Sequence, residues 1–357
     1  MTDNTTSHNQ YEENKHQRKL TVTGLIIPLL IALGLVGFTI YQGFSDSDLH
    51  QAYRMTMDTS VELKFSRGNI PDERLEQAVF AEIERLEKLF SRSLEDSDVS
   101  KVNTAAGLNP VKVNPEVLYV TERAVEFAEL AEGGFDPTIA PLVDLWGFLG
   151  QEYRVPEPQE LERTIPFVDY TALKIDRDHL ELFLPREHMG LELGGIAKGF
   201  IVDQALEVLN QADVKHAFIN AGGDIGLLGP KPDGEPWRVG IANPRETDQV
   251  IAVLSITDCS VVTSGDYERS FEEDGKVYHH ILDPETGMPA DELASVTVVA
   301  ETTMMADALS TAVFVLGPQK GLQLIEGLTE VEGVLITSDL GVLVSSGLED
   351  KVEVAEH

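Results

Sequence analysis

Apolar and polar positions alternate over residues 55–65, the period of a strand with one buried face. Over 71–90 the period changes. Leu75, Val79, Ile83, Leu86 and Phe90 recur every three or four residues between glutamates and arginines, which predicts an amphipathic helix with its apolar stripe on a core. Asn114-Pro115 supplies a cap and a first-turn proline for a helix running toward Ala131. Residues 151–165 are rich in Pro, Glu and Arg and read as a surface excursion. Beyond them the pattern predicts strands near Leu173 and at 180–184, a helix after Gly199, and strands at 217–220, 237–242, 250–256, 260–263 and 296–300. Helices at 305–315 and 318–328 and strands at 333–337 and 342–345 complete it. There is no internal repeat. This order fits an α+β fold, with mixed, largely antiparallel sheets and packed helices, better than a regular βαβ array.

One stretch breaks the amphipathic pattern. Residues 20–41 carry no charge and are long enough to cross about 30 Å of hydrocarbon as a helix, further than a buried core helix usually runs without a polar face. Lys15, Arg18 and Lys19 precede it while Asp46 and Asp48 follow, which places the tail inside and the body outside. The expected organisation is a cytoplasmic tail (1–19), a transmembrane signal-anchor helix (20–41), a polar linker (42–52) and a folded body (53–350). The body of this single-pass protein of the inner, cytoplasmic membrane would then face the periplasm or cell exterior. A cleaved signal peptide is the alternative, although no small-x-small site closes the span. No cysteine follows the span to carry a lipid anchor.

The formal net charge is −34, and residues 1–44 contribute three acids (Asp3, Glu12, Glu13) against three bases (Lys15, Arg18, Lys19), so the whole imbalance sits on the remainder. Such a surface repels nucleic acid and anionic lipid, so neither is expected as a partner of the body. It suits either adaptation to high salt or plain solubility. An anionic ligand must be admitted by local cations or a metal. Cys259 is the only cysteine, so no intramolecular disulfide forms, and its apolar surroundings suggest a structural thiol.

Three segments carry chemistry. Leu193-Gly-Gly-Ile-Ala-Lys-Gly199 is a glycine turn leading into a helix with Lys198 on its first turn, where close backbone approach, free N–H groups and the positive dipole end suit phosphate and a mere helix start is the plainer reading. Asn220-Ala-Gly-Gly-Asp224 repeats the theme after a strand, and alone reads as a tight turn. In His279-His-Ile-Leu-Asp-Pro-Glu-Thr-Gly287 an imidazole near a carboxylate suits removal of a hydroxyl proton, and equally a histidine satisfied by backbone at a strand end. Asp307, Ser310 and Thr311 stand at i, i+3 and i+4, which brings three oxygens to one helix face, the donor type a hard cation prefers and also a common capping pattern. Together they suggest an enzyme acting on a nucleotide-like phosphoanhydride.

These residues resemble the ApbE family of FAD:protein FMN transferases. The resemblance covers about residues 53–345 and rests on Met57-Asp-Thr59, Phe90-Ser91 with Asp96-Ser-Asp-Val-Ser-Lys-Val-Asn103, Gly134-Phe-Asp-Pro-Thr138, Leu142 with Leu145-Trp-Gly-Phe148, Leu193 to Asp203, Asn220 to Asp224, Thr263-Ser-Gly-Asp-Tyr267, His280 to Gly287 and Ala306 to Thr311. It implies a T-fold-related body and a magnesium-dependent enzyme that splits FAD, its substrate. FMN would be linked through its phosphate to a threonine of a partner flavoprotein in a membrane electron-transport complex, with release of AMP. It further implies magnesium ligands at the Gly195 carbonyl, the Asp307 carboxylate and the Thr311 hydroxyl, with Ser310 standing where some relatives place a carboxylate. FAD contacts would fall on Met57, Gly134, Phe135, Asp136, Glu192, Lys198 and the Leu282 backbone, and His280 would be catalytic. Ser93 replaces a flavin-facing aromatic residue and Asp58 a common glycine. A magnesium-dependent FAD pyrophosphatase and a tethered FAD-binding protein without turnover are the alternatives.

Overall fold

The computed structural model describes residues 49–150 and 152–354. The uncharged span at 20–41, its tail and most of the linker lie outside the described residues. Among those described, no helix is long and apolar enough to cross a membrane.

The alternation at 55–65 is two strands rather than one. β1 (His50–Thr56) and β2 (Thr59–Phe65) form a hairpin with Thr56 opposite Thr59. Met57 and Asp58 make its turn with φ of 53° and 56°, the left-handed pair whose twist matches the flanking strands. Glycine usually marks such a turn; none does so here, and the pattern runs through it unbroken. β1 also takes residues 50–52 from the expected linker.

Three short strands, β3 (Val111–Lys112), β4 (Lys174–Asp176) and β5 (Glu181–Phe183), form a small sheet of their own. The main sheet adds to β1 and β2 the strands β6 (Ala217–Ala221), β7 (Asp224–Leu228), β10 (Ser260–Gly265), β13 (Leu293–Ala300), β14 (Glu332–Thr337) and β15 (Val342–Val344). Its order is β1-β2-β6-β7-β10-β13-β14-β15, antiparallel throughout. One face packs on a second sheet of β8 (Trp237–Asn243), β9 (Glu246–Ile256) and β16 (Val352–Val354) through Phe218, Ile225, Val261 and Ile336 against Trp237, Val239 and Leu254. The other face carries helices. Covered on both sides, β13 is buried at all eight positions, Ser295 and Thr297 included.

Seven α-helices occur among the described residues. α1 (Asp72–Phe90) buries Leu75, Val79, Ile83, Leu86 and Phe90, the stripe read from the pattern, each worth about 1.5–3 kcal/mol on full burial. α2 (Asp98–Thr104), α4 (Ala140–Trp146) and α5 (Pro158–Thr164) are seven residues each, too short to impose a period, and α5 places a helix, mostly exposed apart from Leu161, within the 151–165 surface excursion. α3 (Pro115–Leu130) starts as expected, with the Asn114 side chain accepting the Glu116 N–H at 2.9 Å.

α6 (Gly194–Gln211) and α7 (Thr303–Glu326) cross at their first turns. A Cβ on Gly199 would stand 2.4 Å from the Thr303 carbonyl oxygen, so only glycine permits the contact. From α6, the Asp203 carboxylate accepts the N–H groups of Thr303 (2.7 Å) and Met304 (2.9 Å), while Thr302 Oγ1 accepts that of Met305 (3.2 Å). Caps of this kind are worth about 1 kcal/mol each. Here they also fix the rotation of α7 about its axis, and with it the direction of Asp307 one turn later. The two helices expected at 305–315 and 318–328 are the halves of α7, broken at Gly317 (φ 76°) and Pro318.

Candidate active site

A cleft of about 1160 Å³ opens between the start of α6, Asp307 and Thr311 on α7, strands of the main sheet and the residues flanking the hairpin β11 (Ser270–Glu273)–β12 (Lys276–His279). That exceeds the roughly 300–1,000 Å³ of most small-molecule sites. Of the residues singled out in the sequence, Met57, Ser93, Gly134, Phe135, Asp136, Glu192, Gly195, Lys198, His280, Leu282, Asp307 and Thr311 line it. Ser310 does not. It is buried, donates to the Asp307 carbonyl at 2.9 Å and lies 2.8 Å from Ser264 Oγ, tying α7 to β10 rather than facing the cleft. Helical spacing put it beside Asp307 and Thr311, but the helix turns its side chain toward the sheet.

The glycine turn is held from outside. Glu192 Oε1 accepts the Gly194 N–H at 2.8 Å and Oε2 accepts Arg92 Nη1 at 2.9 Å, so this carboxylate caps α6 while Arg92 ties it to Asp144. Gly195 departs from helical geometry (φ −89°, ψ 21°). The Gly199 N–H, whose regular helical partner would be the Gly195 carbonyl, donates to Asp307 Oδ2 at 2.9 Å. A Cβ on Gly195 would come within 3.2 Å of Thr311 Oγ1. Gly195, Asp307 and Thr311, which offer a carbonyl, a carboxylate and a hydroxyl from segments more than a hundred residues apart, are thus brought together where the two helices cross.

Walls come from three loops. Glu87 accepts the Met57 N–H (2.9 Å) and the Thr56 hydroxyl (2.8 Å), fixing the β1–β2 turn at the rim. Asp136 accepts Thr138 N (2.7 Å), Thr138 Oγ1 (2.6 Å) and Tyr170 N (3.1 Å), shaping the loop that carries Gly134 and Phe135. Burial nevertheless raises its carboxyl above the usual range. Gly134 lies where a Cβ would strike the Ala312 carbonyl oxygen at 2.7 Å, and Ser93 sits exposed at the rim.

The floor is a cluster of charges. Gly222 and Gly223, with φ of 62° and 102°, turn the chain so that Asp224 points inward, 1% exposed, with Lys198 Nζ 2.9 Å from its Oδ1 and no hydrogen-bond donor beyond that ammonium among the described residues. Burial works against the Lys198 charge, but Asp224, Glu268 and Asp307 outweigh it and hold the ammonium above its ordinary range. Burial, then the charge of Asp224, pushes the Asp307 carboxyl well up against the pull of Lys198 and the Gly199 N–H. Neither Asp224 nor Glu268 was assigned a role from the sequence, because their partner is set by the tertiary fold.

Glu268 is open to cleft solvent but hemmed by the walls, and that enclosure drives its carboxyl up to about 7, with Lys198 pulling down and Asp224 pushing up. A raised carboxyl contributes stability that is complete below about 4.5 and is lost as pH climbs through about 7. Glu268→Gln should therefore melt above the native protein at pH 8 in chelator, the gap narrowing toward pH 5.5. Parallel melting curves across that range would refute it.

The two histidines separate cleanly. His279 Nε2 lies 2.7 Å from the Ala290 carbonyl oxygen and Nδ1 accepts the Ile281 N–H at 3.3 Å, so it is structural. His280 presents a buried Nδ1 without a partner among the described residues, its ring edge-on to Phe148 at 6.5 Å. Burial, then Arg269, His279 and Lys198, push its pKa down to about 3, so the imidazole of the free protein is neutral across the working range.

Among the described residues no three His, Cys, Asp or Glu side chains group as metal ligands. A cation here must take carbonyl and hydroxyl oxygens beside a carboxylate. Gly195, Asp307 and Thr311 form such an all-oxygen set, next to an excess of buried negative charge, and they fit magnesium.

Comparison with known proteins points the same way. The model of the ApbE family matches residues 57–335. The FAD:protein FMN transferase of Treponema pallidum is 36% identical over 296 residues, 78% of this chain and 82% of that protein. That of Klebsiella pneumoniae is 34% identical over 306 residues, 85% of this chain and 93% of that protein. The crystal structure of the ApbE protein of Thermotoga maritima superposes with a TM-score of 0.80 at 34% identity, covering 85% of this chain and 99% of that one. The flavin transferase ApbE of Vibrio cholerae gives 0.76 at 29% identity, with the same coverage.

Proposed function

The chain belongs to the ApbE family and is an FAD:protein FMN transferase, and on that premise we propose that magnesium assists transfer of FMN from FAD to a threonine hydroxyl of a partner flavoprotein, with AMP as the leaving group. The observation that carries this reading is the meeting of Gly195, Asp307 and Thr311 beside Lys198 and His280 in one cleft.

The Gly195 carbonyl, Asp307 carboxylate and Thr311 hydroxyl would hold the magnesium ion. When bound, the ion withdraws charge from the pyrophosphate oxygens and eases departure of AMP. Lys198 would face the same anion, with Asp224 holding the lysine in place. The His280 imidazole, which lines the cleft, accepts the proton of the attacking hydroxyl as its oxygen bonds to the FMN phosphorus. The bond from that phosphorus to the bridging oxygen breaks, and AMP departs with the bridging oxygen and the electron pair. Met57, the Gly134–Asp136 loop, Glu192 and the Leu282 backbone would shape the room for FAD, with Ser93 leaving the rim without an aromatic ring at that point.

The uncharged 20–41 segment supports the further proposal that the body is tethered outside the cytoplasmic membrane, within reach of acceptors in membrane electron-transport complexes. One experiment addresses both: membranes from cells expressing the full chain are given FAD, magnesium and a candidate acceptor. AMP release together with in-gel flavin fluorescence on the acceptor is expected, sedimenting with the membranes. AMP without labelled protein would favour a pyrophosphatase, intact FAD a binding protein, and activity confined to the soluble fraction would remove the tether.

A further inference from the structure

Three cationic side chains line the cleft, and two are committed. Arg92 is bonded to Glu192 and Asp144, and Lys198 is paired with Asp224. Arg269 is different. Its side chain is exposed to the cleft and has no hydrogen bond or ion pair among the described residues. In a protein of net charge −34 an arginine rarely lacks a carboxylate by accident.

Its placement is specific. Arg269 immediately precedes β11, and its carbonyl accepts the His280 N–H at 3.1 Å across the base of the hairpin. The guanidinium is thereby rooted next to the imidazole, close enough that its charge disfavours protonation there. The base must stand where the acceptor hydroxyl attacks. In an in-line displacement, attacking and leaving oxygens occupy opposite sides of the phosphorus and the non-bridging oxygens lie between them. A planar fork of N–H donors beside the base therefore meets the non-bridging oxygens of the group being transferred.

Resting on the transferase reading above, we infer that Arg269 is a further catalytic residue, which binds the FMN phosphoryl group as it passes from FAD to the acceptor oxygen. During that passage the new oxygen–phosphorus bond forms at the hydroxyl, its proton goes to His280, and AMP leaves with the bridging oxygen. Arg269 neutralises the charge on the non-bridging oxygens without gaining or losing a proton. Lys198, already balanced by Asp224, is less free to do so.

The test compares native chain, Arg269→Ala and Arg269→Lys in full-length form with FAD, magnesium and a threonine-bearing acceptor, reading AMP release, FAD affinity by fluorescence quenching and thermal melting. Having no partner to lose, Arg269→Ala should melt with the native protein and bind FAD within about threefold, while its kcat falls about 10²–10³-fold. Arg269→Lys should recover less than a tenth of the rate, and added guanidinium ion should restore part of the activity of Arg269→Ala. An alanine variant turning over within threefold of native overturns the inference, as does a loss confined to FAD affinity with kcat unchanged. A native chain that releases no AMP overturns the transferase reading, and the role of Arg269 falls with it; an active native chain beside an unaffected alanine variant removes Arg269 alone.

Discussion

Asp307→Asn should abolish magnesium-dependent AMP release from FAD, a loss of at least about 10³-fold, while the metal-free protein melts at a higher temperature than native. The two effects share a cause. The native carboxylate is 4% exposed, with the charge of Asp224 raising its cost, and Lys198 is already paired with Asp224. A buried charge so poorly balanced destabilises the fold, whereas a neutral side chain of the same shape can still accept the Gly199 N–H through its amide oxygen. What stabilises the protein removes its only anionic ligand at that point. Magnesium should raise the melting temperature of native protein and leave that of the variant unchanged, since a ligand stabilises only the state that binds it. Calorimetry with and without chelator checks this. A variant that melts lower than native in chelator, or still shifts with magnesium, would dismiss Asp307 as the metal carboxylate.

Which parts of this arrangement were legible beforehand follows from how local their causes are. The stripe of α1, the Asn114 cap of α3 and the i, i+4 pair Asp307 and Thr311 depend on neighbours within a turn or two, and each stands where spacing placed it. The β1–β2 turn was hidden because Met57 and Asp58 take a backbone conformation that their identity does not advertise. Short helices such as α5 carry too few residues for a period. In the site, resemblance to relatives picked out residues that the fold does gather around one cleft, apart from Ser310, which α7 turns toward β10. The pairing of Lys198 with Asp224, the capping of α6 by Glu192 and of α7 by Asp203, and the isolation of Arg269 are consequences of packing between distant segments. Asn220-Ala-Gly-Gly-Asp224 illustrates the limit. It was readable as a tight turn, and it is one, but what the turn does is deliver Asp224 beneath Lys198.

His280→Ala should retain FAD within a few-fold of native affinity and lose transfer to the acceptor by about 10²–10⁴-fold, the usual span for a positioned general base. The imidazole lines the cleft, and no group among the described residues bonds its Nδ1, so its loss removes a proton acceptor without stranding a partner. In the free protein burial and the charges of Arg269 and Lys198 hold the ring neutral down to about pH 3. A bound dinucleotide brings negative charge to the same cations and offsets them, raising the proton affinity of the ring in the complex, where a base is needed. Two pH profiles therefore follow. The step governed by free enzyme, kcat/KM, should show no decline from protonation of His280 between pH 8 and 5.5, whereas kcat should fall at the acid end as the ring in the complex takes up a proton. Replacement by alanine should erase that acid limb, and added imidazole should restore part of the rate, since a small base can occupy the vacated space beside Phe148. An alanine variant that transfers FMN at the native rate, or keeps the same acid limb, would assign the proton to another group, and Glu268, a cleft carboxylate with raised proton affinity, would be the next to test.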